Sequence, residues 1–151
     1  MFTKQEASIL KQQFWTSFGQ YMAPVPSADG IKINWINYKT GIKDLHFKMD
    51  ADTKAASISI IIAHSNTARQ TEFYNQFKQV KNLLKTAVQE EWQWALHVPD
   101  ESNKTVSRIY TLLAGVNIFK KEDWPQIISF LKPRIIALDN FWNDVKDGFE
   151  M

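Results

Sequence analysis

The chain has 151 residues, is 44% hydrophobic and carries a formal net charge of +2. That is the length of one ordinary domain, 1–151, with enough apolar side chain for a sizeable core. The absence of cysteine excludes disulfides, thiolate nucleophiles and sulfur-ligated zinc or iron–sulfur centres.

Thr3, with Glu6 three residues on, reads as a capping box. Ala7, Leu10, Phe14, Phe18 and Tyr21 follow at helical spacing, so a first helix is predicted to about Met22. The stretch APVPSADG (23–30) breaks it with two prolines and a glycine. IKINWINY (31–38) alternates, with Ile31, Ile33 and Trp35 on one face, and predicts a first strand. DLHFKMD (44–50) alternates more cleanly: Leu45, Phe47 and Met49 inward, Asp44, His46, Lys48 and Asp50 outward. After ADTK, AASISIIIA (55–63) places Ala56, Ile58, Ile60 and Ile62 on one face and predicts the third strand of an antiparallel meander.

Ser65 or Asn66 is expected to cap a long helix over 66–89, with Phe73, Phe77, Val80, Leu84 and Val88 as its apolar stripe. Its length suits a crossover, which would place the fourth strand parallel to the third or near it. WQWALHV (92–98) sets Trp92, Trp94, Leu96 and Val98 on one face, and TVSRIYTLL (105–113) reads as a fifth strand. The last third is helical. Asp123 is the expected N-cap and Pro125 suits the first turn. Ile128, Leu131, Ile135, Leu138, Trp142, Val145 and Phe149 form a seam, and Pro133 in its middle is expected to kink or split the helix. Asp139, Asp144, Asp147 and Glu150 are expected to make the outer face acidic. The fold class is α+β: one mixed or mainly antiparallel five-stranded sheet with helices, in the order α-βββ-α-ββ-α.

The front of that order resembles the αβββαβ core of restriction-endonuclease-like nucleases. The resemblance implies a metal-binding Asp on the second strand and an acidic residue two before a lysine on the third. Asp44 and Asp50 are offered by the second strand, but the third reads Ser57-Ile58-Ser59-Ile60-Ile61, without acid or lysine. Asp50 and Asp52 are common turn formers that bond their own backbone. No catalytic metal is therefore expected at Asp44, Asp50 and Asp52. His46 and His97 are expected on outward strand positions and His64 at a strand end, with no ligand spacing among them. No phosphate-binding glycine loop and no nucleophile elbow occurs. No cofactor is implied, and the chain is read as not an enzyme.

Charge is uneven. Residues 1–85 hold eleven Lys/Arg and six Asp/Glu; residues 86–151 hold seven and ten. Lys78, Lys81 and Lys85, at i, i+3 and i+7 with Arg69 upstream, form the best nucleic-acid signal, a row that meets phosphate without reading sequence. The competing explanation pairs the row with the acidic face of the final helix, within one chain or between two. No apolar run approaches the roughly 18 residues of a membrane span, and MFTKQEASIL lacks a signal-peptide pattern. The expectation is a cytoplasmic protein without membrane contact.

The stretches FW (14–15), WINYKTGIKDLHFKMD (35–50), EWQW (91–94), SRIY (107–110), NIFKKEDWPQIISFL (117–131) and FW (141–142) together resemble a bacterial domain family of unknown function. That resemblance implies a domain found alone or attached to restriction-endonuclease-like proteins, and it carries no catalytic residue. Three functions stay open in this order: a non-catalytic accessory or binding domain acting through its surface or as a homodimer; a nucleic-acid-associated module with a degenerate nuclease-like core; and an enzyme whose site assembles only in three dimensions. The partners implied are DNA or RNA backbone, a second copy or another protein.

Overall fold

The computed structural model describes residues 2–149. Helix α1 (Lys4–Met22) starts from the expected capping box: Thr3 accepts from the Glu6 amide and Glu6 accepts from the Thr3 amide. It buries Phe14, Phe18 and Met22, whereas Tyr21 points to solvent. Four strands follow, interrupted by a helical crossover: β1 (Leu45–Ala51), β2 (Ala55–Ile62), α2 (Thr67–Gln79), α3 (Lys81–Val88), β3 (Gln93–Pro99) and β4 (Thr105–Ala114). Helix α4 (Trp124–Val145) closes the chain between two short 3-10 turns at Lys121–Asp123 and Lys146–Gly148.

The sheet has the order β1-β2-β4-β3, and every pair is antiparallel. Strands β2 and β3 therefore run the same way, with β4 inserted between them. The strand after the crossover thus runs parallel to the one before it and lies one strand away. One row of cross-strand neighbours, Phe47–Ile60–Ile109–Trp94, faces the helices. The next row, Lys48–Ser59–Tyr110–Gln93, faces the other way. Helix α2 packs against β2, β3 and β4, and α4 against β1 and β2. The core between sheet and helices is strongly aromatic, joining Phe14, Phe18, Phe77, Phe141, Trp142 and Phe149 to the isoleucines of β2.

Three expectations need correction. The sheet has four strands and not five, because 31–38 forms no ladder. Its backbone is held instead by side chains: Trp35 Nε1 donates to the Val25 carbonyl, and Asn34 Oδ1 accepts from the amides of Ile36 and Asn37. With that strand gone, the order is α-ββ-αα-ββ-α, and the αβββαβ arrangement of a restriction-endonuclease-like core is not formed. Second, the helix expected over 66–89 breaks at Val80, which leaves helical geometry (φ −108°, ψ 20°) and ends α2. The stripe survives the break: Phe73, Phe77 and Leu84 are buried. Third, Pro133 does not split α4, which runs unbroken through it. Pro133 and Ser129, whose carbonyl loses its helical partner, are both exposed, so that carbonyl is not shut away from solvent.

Asn66 is the residue that caps α2, accepting from the Arg69 amide. Asp123 precedes α4 but makes no cap bond; its carboxylate takes the Asn117 amide at 2.9 Å. The alternation expected for Trp92–Val98 is interrupted by a bulge between Ala95 and Val98, where His97 takes φ 52°. Leu96 is exposed as a result. Among the described residues no helix is long and apolar enough to cross a membrane.

Candidate functional site

The hairpin acids serve the backbone. Asp52 Oδ1 accepts from the amides of Lys54 and Ala55 at 2.8 and 2.9 Å, and Asp50 accepts from the Ala51 amide. Those bonds, the Lys54 amide first, hold the Asp52 carboxyl below its usual range. Asp44 sits just before β1 in left-handed geometry (φ 65°). Among the described residues no group of three His, Asp or Glu is placed to hold a metal ion.

The histidines are dispersed. His46 is exposed on β1. His64 stacks on Phe73 at 4.6 Å between centroids, and burial pushes its imidazole below the ordinary value, favouring the neutral ring. His97 Nε2 lies 3.1 Å from the Thr67 carbonyl and 3.2 Å from Thr71 Oγ1, tying the bulged edge strand to α2.

Lys78, Lys81 and Lys85 are all exposed. The break at Val80 does not scatter them, because two lean on one aromatic pair. Tyr74 on α2 and Trp94 on edge strand β3 meet edge to face at 5.6 Å. The Lys78 ammonium lies 5.3 Å from the Tyr74 ring centre and the Lys81 ammonium 5.7 Å from that of Trp94. Lys85 pairs with Glu91 at 3.0 Å, and that pair, with Lys85 first, holds the Glu91 carboxyl low. Arg69 stands apart. It is nine residues before Lys78, which at about 3.6 residues per turn puts it on the opposite flank of the buried stripe. There it pairs with Glu72 at 2.8 Å and lies over Phe73. Among the described residues, none of the three lysines pairs with Asp139, Asp144 or Asp147.

Nearby, Glu90 is committed to structure. Its carboxylate takes two bonds from Arg134 on α4 at 2.8 and 2.9 Å, and a third from Trp92 Nε1. The Arg134 bonds lead in holding its carboxyl below the usual range.

At the opposite edge of the sheet lies a cavity of about 400 Å³ between the 27–40 segment and α4. Asp139 is in its wall. The expected acidic outer face of α4 is corrected here: Asp144 and Asp147 are exposed, Glu150 lies outside the described residues, and Asp139 is 6% exposed. Tyr38 Oη donates to Asp139 Oδ1 at 2.5 Å and the Ala28 amide to Oδ2 at 2.7 Å. Burial first, then the bond to Asp139, pushes the Tyr38 phenol well above its ordinary value. Trp142 Nε1 donates to the Thr40 carbonyl and closes the floor.

Sequence reasoning missed this cluster, although a signal was present. Asp139 is four residues after Ile135 and three before Trp142, which places it beside the buried seam.

No curated protein and no solved structure matches the chain. A family model described as a domain of unknown function (DUF4268) matches residues 10–146, and the chain belongs to that family.

Proposed function

We propose that this domain is a binding module without a reaction of its own, and that Lys78, Lys81 and Lys85 form its docking edge for the backbone of DNA or RNA. The observation that carries this reading is the bracketing of the Tyr74–Trp94 pair by Lys78 and Lys81. Ammonium groups held over the rings face an incoming anion. Among the described residues neither Lys78 nor Lys81 forms an ion pair with a carboxylate, although Glu91 feels the charge of Lys81. Lys85 adds a third charge, since its pair with Glu91 is solvent-exposed and screened, and yields readily to phosphate. An unstacked base reaches the half-buried Trp94 ring by displacing the Lys81 ammonium that lies over it. The resemblance to a bacterial family found beside restriction-endonuclease-like proteins supports the same cytoplasmic, nucleic-acid setting.

Fluorescence anisotropy with labelled single- and double-stranded oligonucleotides tests it. Binding is weak and indifferent to sequence, with a slope of log K against log salt of about −2 to −3 on duplex DNA. Replacing all three lysines with Glu removes binding and leaves the size in solution unchanged. Retention that survives the triple change overturns the assignment.

A second reading is favoured by a groove of about 430 Å³ between α3 and α4, walled by Ala87, Ile136 and Phe141 and edged by Leu83, which is 57% exposed. An apolar groove with a protruding leucine suits self-association. Light scattering across a concentration series distinguishes it: a dimer that Leu83→Lys dissociates supports this reading, and a monomer throughout removes it.

A further inference from the structure

The cavity beside Asp139 is built for a different ligand from the lysine edge. Both donors to Asp139, the Tyr38 hydroxyl and the Ala28 amide, are neutral. Among the described residues no cation pairs with Asp139. Two lysines line the cavity rim: Lys146 is turned to Asp29 at 3.8 Å, and Lys39 is exposed. A carboxylate offers about four acceptor sites, and these two donors fill two. A buried charge is costly unless it is paired. Here it forms the wall of a cavity whose volume suits a small ligand.

The other walls fix the remaining chemistry. Ile31, Ile33 and Trp142 supply apolar surface for a short hydrocarbon arm. Asn143 contributes a carboxamide that makes no hydrogen bond among the described residues. We infer that this cavity binds a small organic cation, an alkylguanidinium or alkylammonium group, whose charged head bonds the free lone pairs of Asp139 and whose chain lies against Ile31, Ile33 and Trp142. A guanidinium matches best, since its planar donors reach Asp139 and the Asn143 carbonyl together. The site is independent of the proposed lysine edge. It lies beyond β1, through the stack of Tyr38 on Phe47, whereas Trp94 belongs to β3 at the far edge.

Isothermal titration calorimetry with two probes of the same shape tests the inference: butylguanidinium chloride, and butylurea, which is neutral. Butylguanidinium binds one site about tenfold more tightly than butylurea or better. Asp139→Asn abolishes the preference for the cation. Asn143→Trp fills the cavity without touching the bonds of Asp139, and abolishes binding of both probes. Should Asp139→Asn fail to fold by circular dichroism, the wild-type preference and its loss in Asn143→Trp decide alone. Equal affinity for the two probes, no saturable binding of either, or binding undisturbed in Asn143→Trp overturns the inference.

Discussion

The β1–β2 hairpin and the 23–44 segment that precedes it both show apolar residues at alternate positions, and they fold by different means. In the hairpin the alternation is used in full. Leu45 and Phe47 pair with Ile62 and Ile60 on the core side, and the turn is fastened by an aspartate two or three residues from the amides it accepts. In the 23–44 segment Ile31, Ile33 and Trp35 alternate, yet no strand forms, and Ile31 is 58% exposed. Beside local bonds at Asn34 and Thr40, it has distant fastenings: Asp139 to Ala28 and Tyr38, and Trp142 to Thr40. Alternation reports an extended backbone with two unlike faces. It does not report a neighbouring strand. A ladder needs a partner edge, and this segment spends its backbone on its own side chains, Asn34 and Thr40, and on Asp139 and Trp142 of α4 instead.

The largest test of the contrast is truncation. Ile60 is fully buried in the row Phe47–Ile60–Ile109–Trp94. Ile60→Ala removes packed methyl groups and leaves a cavity, at a cost of about 3 to 4 kcal/mol. Ile31→Ala, the matching change in the other segment, stays within about 0.5 kcal/mol. Urea unfolding followed by tryptophan fluorescence measures both. Equal losses would mean that Ile31 joins Trp35 against the core.

Next in size is the loss of the remote fastening. Asp139→Ala takes the acceptor from the half-buried Tyr38 hydroxyl and from the amide of exposed Ala28. Lost bonds to a charged acceptor at part-buried donors cost on the order of 1 kcal/mol or a little more each, so about 2 to 3 kcal/mol in total is expected. Hydrogen exchange gives the sharper readout. The Ala28 amide loses protection, while the β1–β2 ladder amides keep theirs until global unfolding. Protection lost evenly across both regions would make Asp139 a general core residue and not the tie of one segment.

The clamp between α3, β3 and α4 is of intermediate size. Glu90→Gln keeps the shape, weakens the two bonds from Arg134 and costs about 2 kcal/mol. The sign with pH follows from the lowered carboxyl of Glu90. Its contribution is complete above the unfolded carboxyl range and fades as pH falls through the folded value. The wild type therefore loses more stability than Glu90→Gln on acidification, as thermal melts across an acid series measure.

How far these features were legible in the sequence depends on how local their causes are. The capping box at Thr3, the hairpin faces, the acids of the turn and the buried stripe of 73–84 depend on neighbours within a few residues, and each is readable from spacing. The break at Val80 has no proline or glycine to announce it. The ladder-free course of 31–38, the buried place of Asp139 and the bulge at His97 depend in part on partners tens of residues away. The lysine row was legible as a row. That Tyr74 and Trp94 lie beneath two of its members was not, because it requires β3 to pass beside α2. Arg69 was grouped with the lysines by closeness in sequence, whereas helical phase puts it on the other flank.

The smallest effect separates the two regions by pH. Tyr38 and Asp52 stand at opposite ends of the scale, one in each region. The Tyr38 phenol is raised by burial and by its bond to Asp139. A raised acid group favours its neutral form in the folded state. Its contribution is complete below the ordinary phenol value of about 10 and is lost as pH climbs above it. The Asp52 carboxyl is lowered by the amides it accepts. Its contribution is complete above the ordinary value of 3.8 and is lost as pH falls through the folded value. Alkali should therefore loosen the 23–44 segment first, and acid the hairpin turn. Amide exchange read at Ala28 and at Ala55 distinguishes them. Tyr38→Phe removes the alkaline loosening at Ala28 and leaves the acid response at Ala55 intact. Asp52→Asn does the reverse. If Tyr38→Phe leaves the alkaline response at Ala28 unchanged, the phenol is not what ties the segment to α4. The Ala28 amide bond to Asp139 then carries that tie by itself.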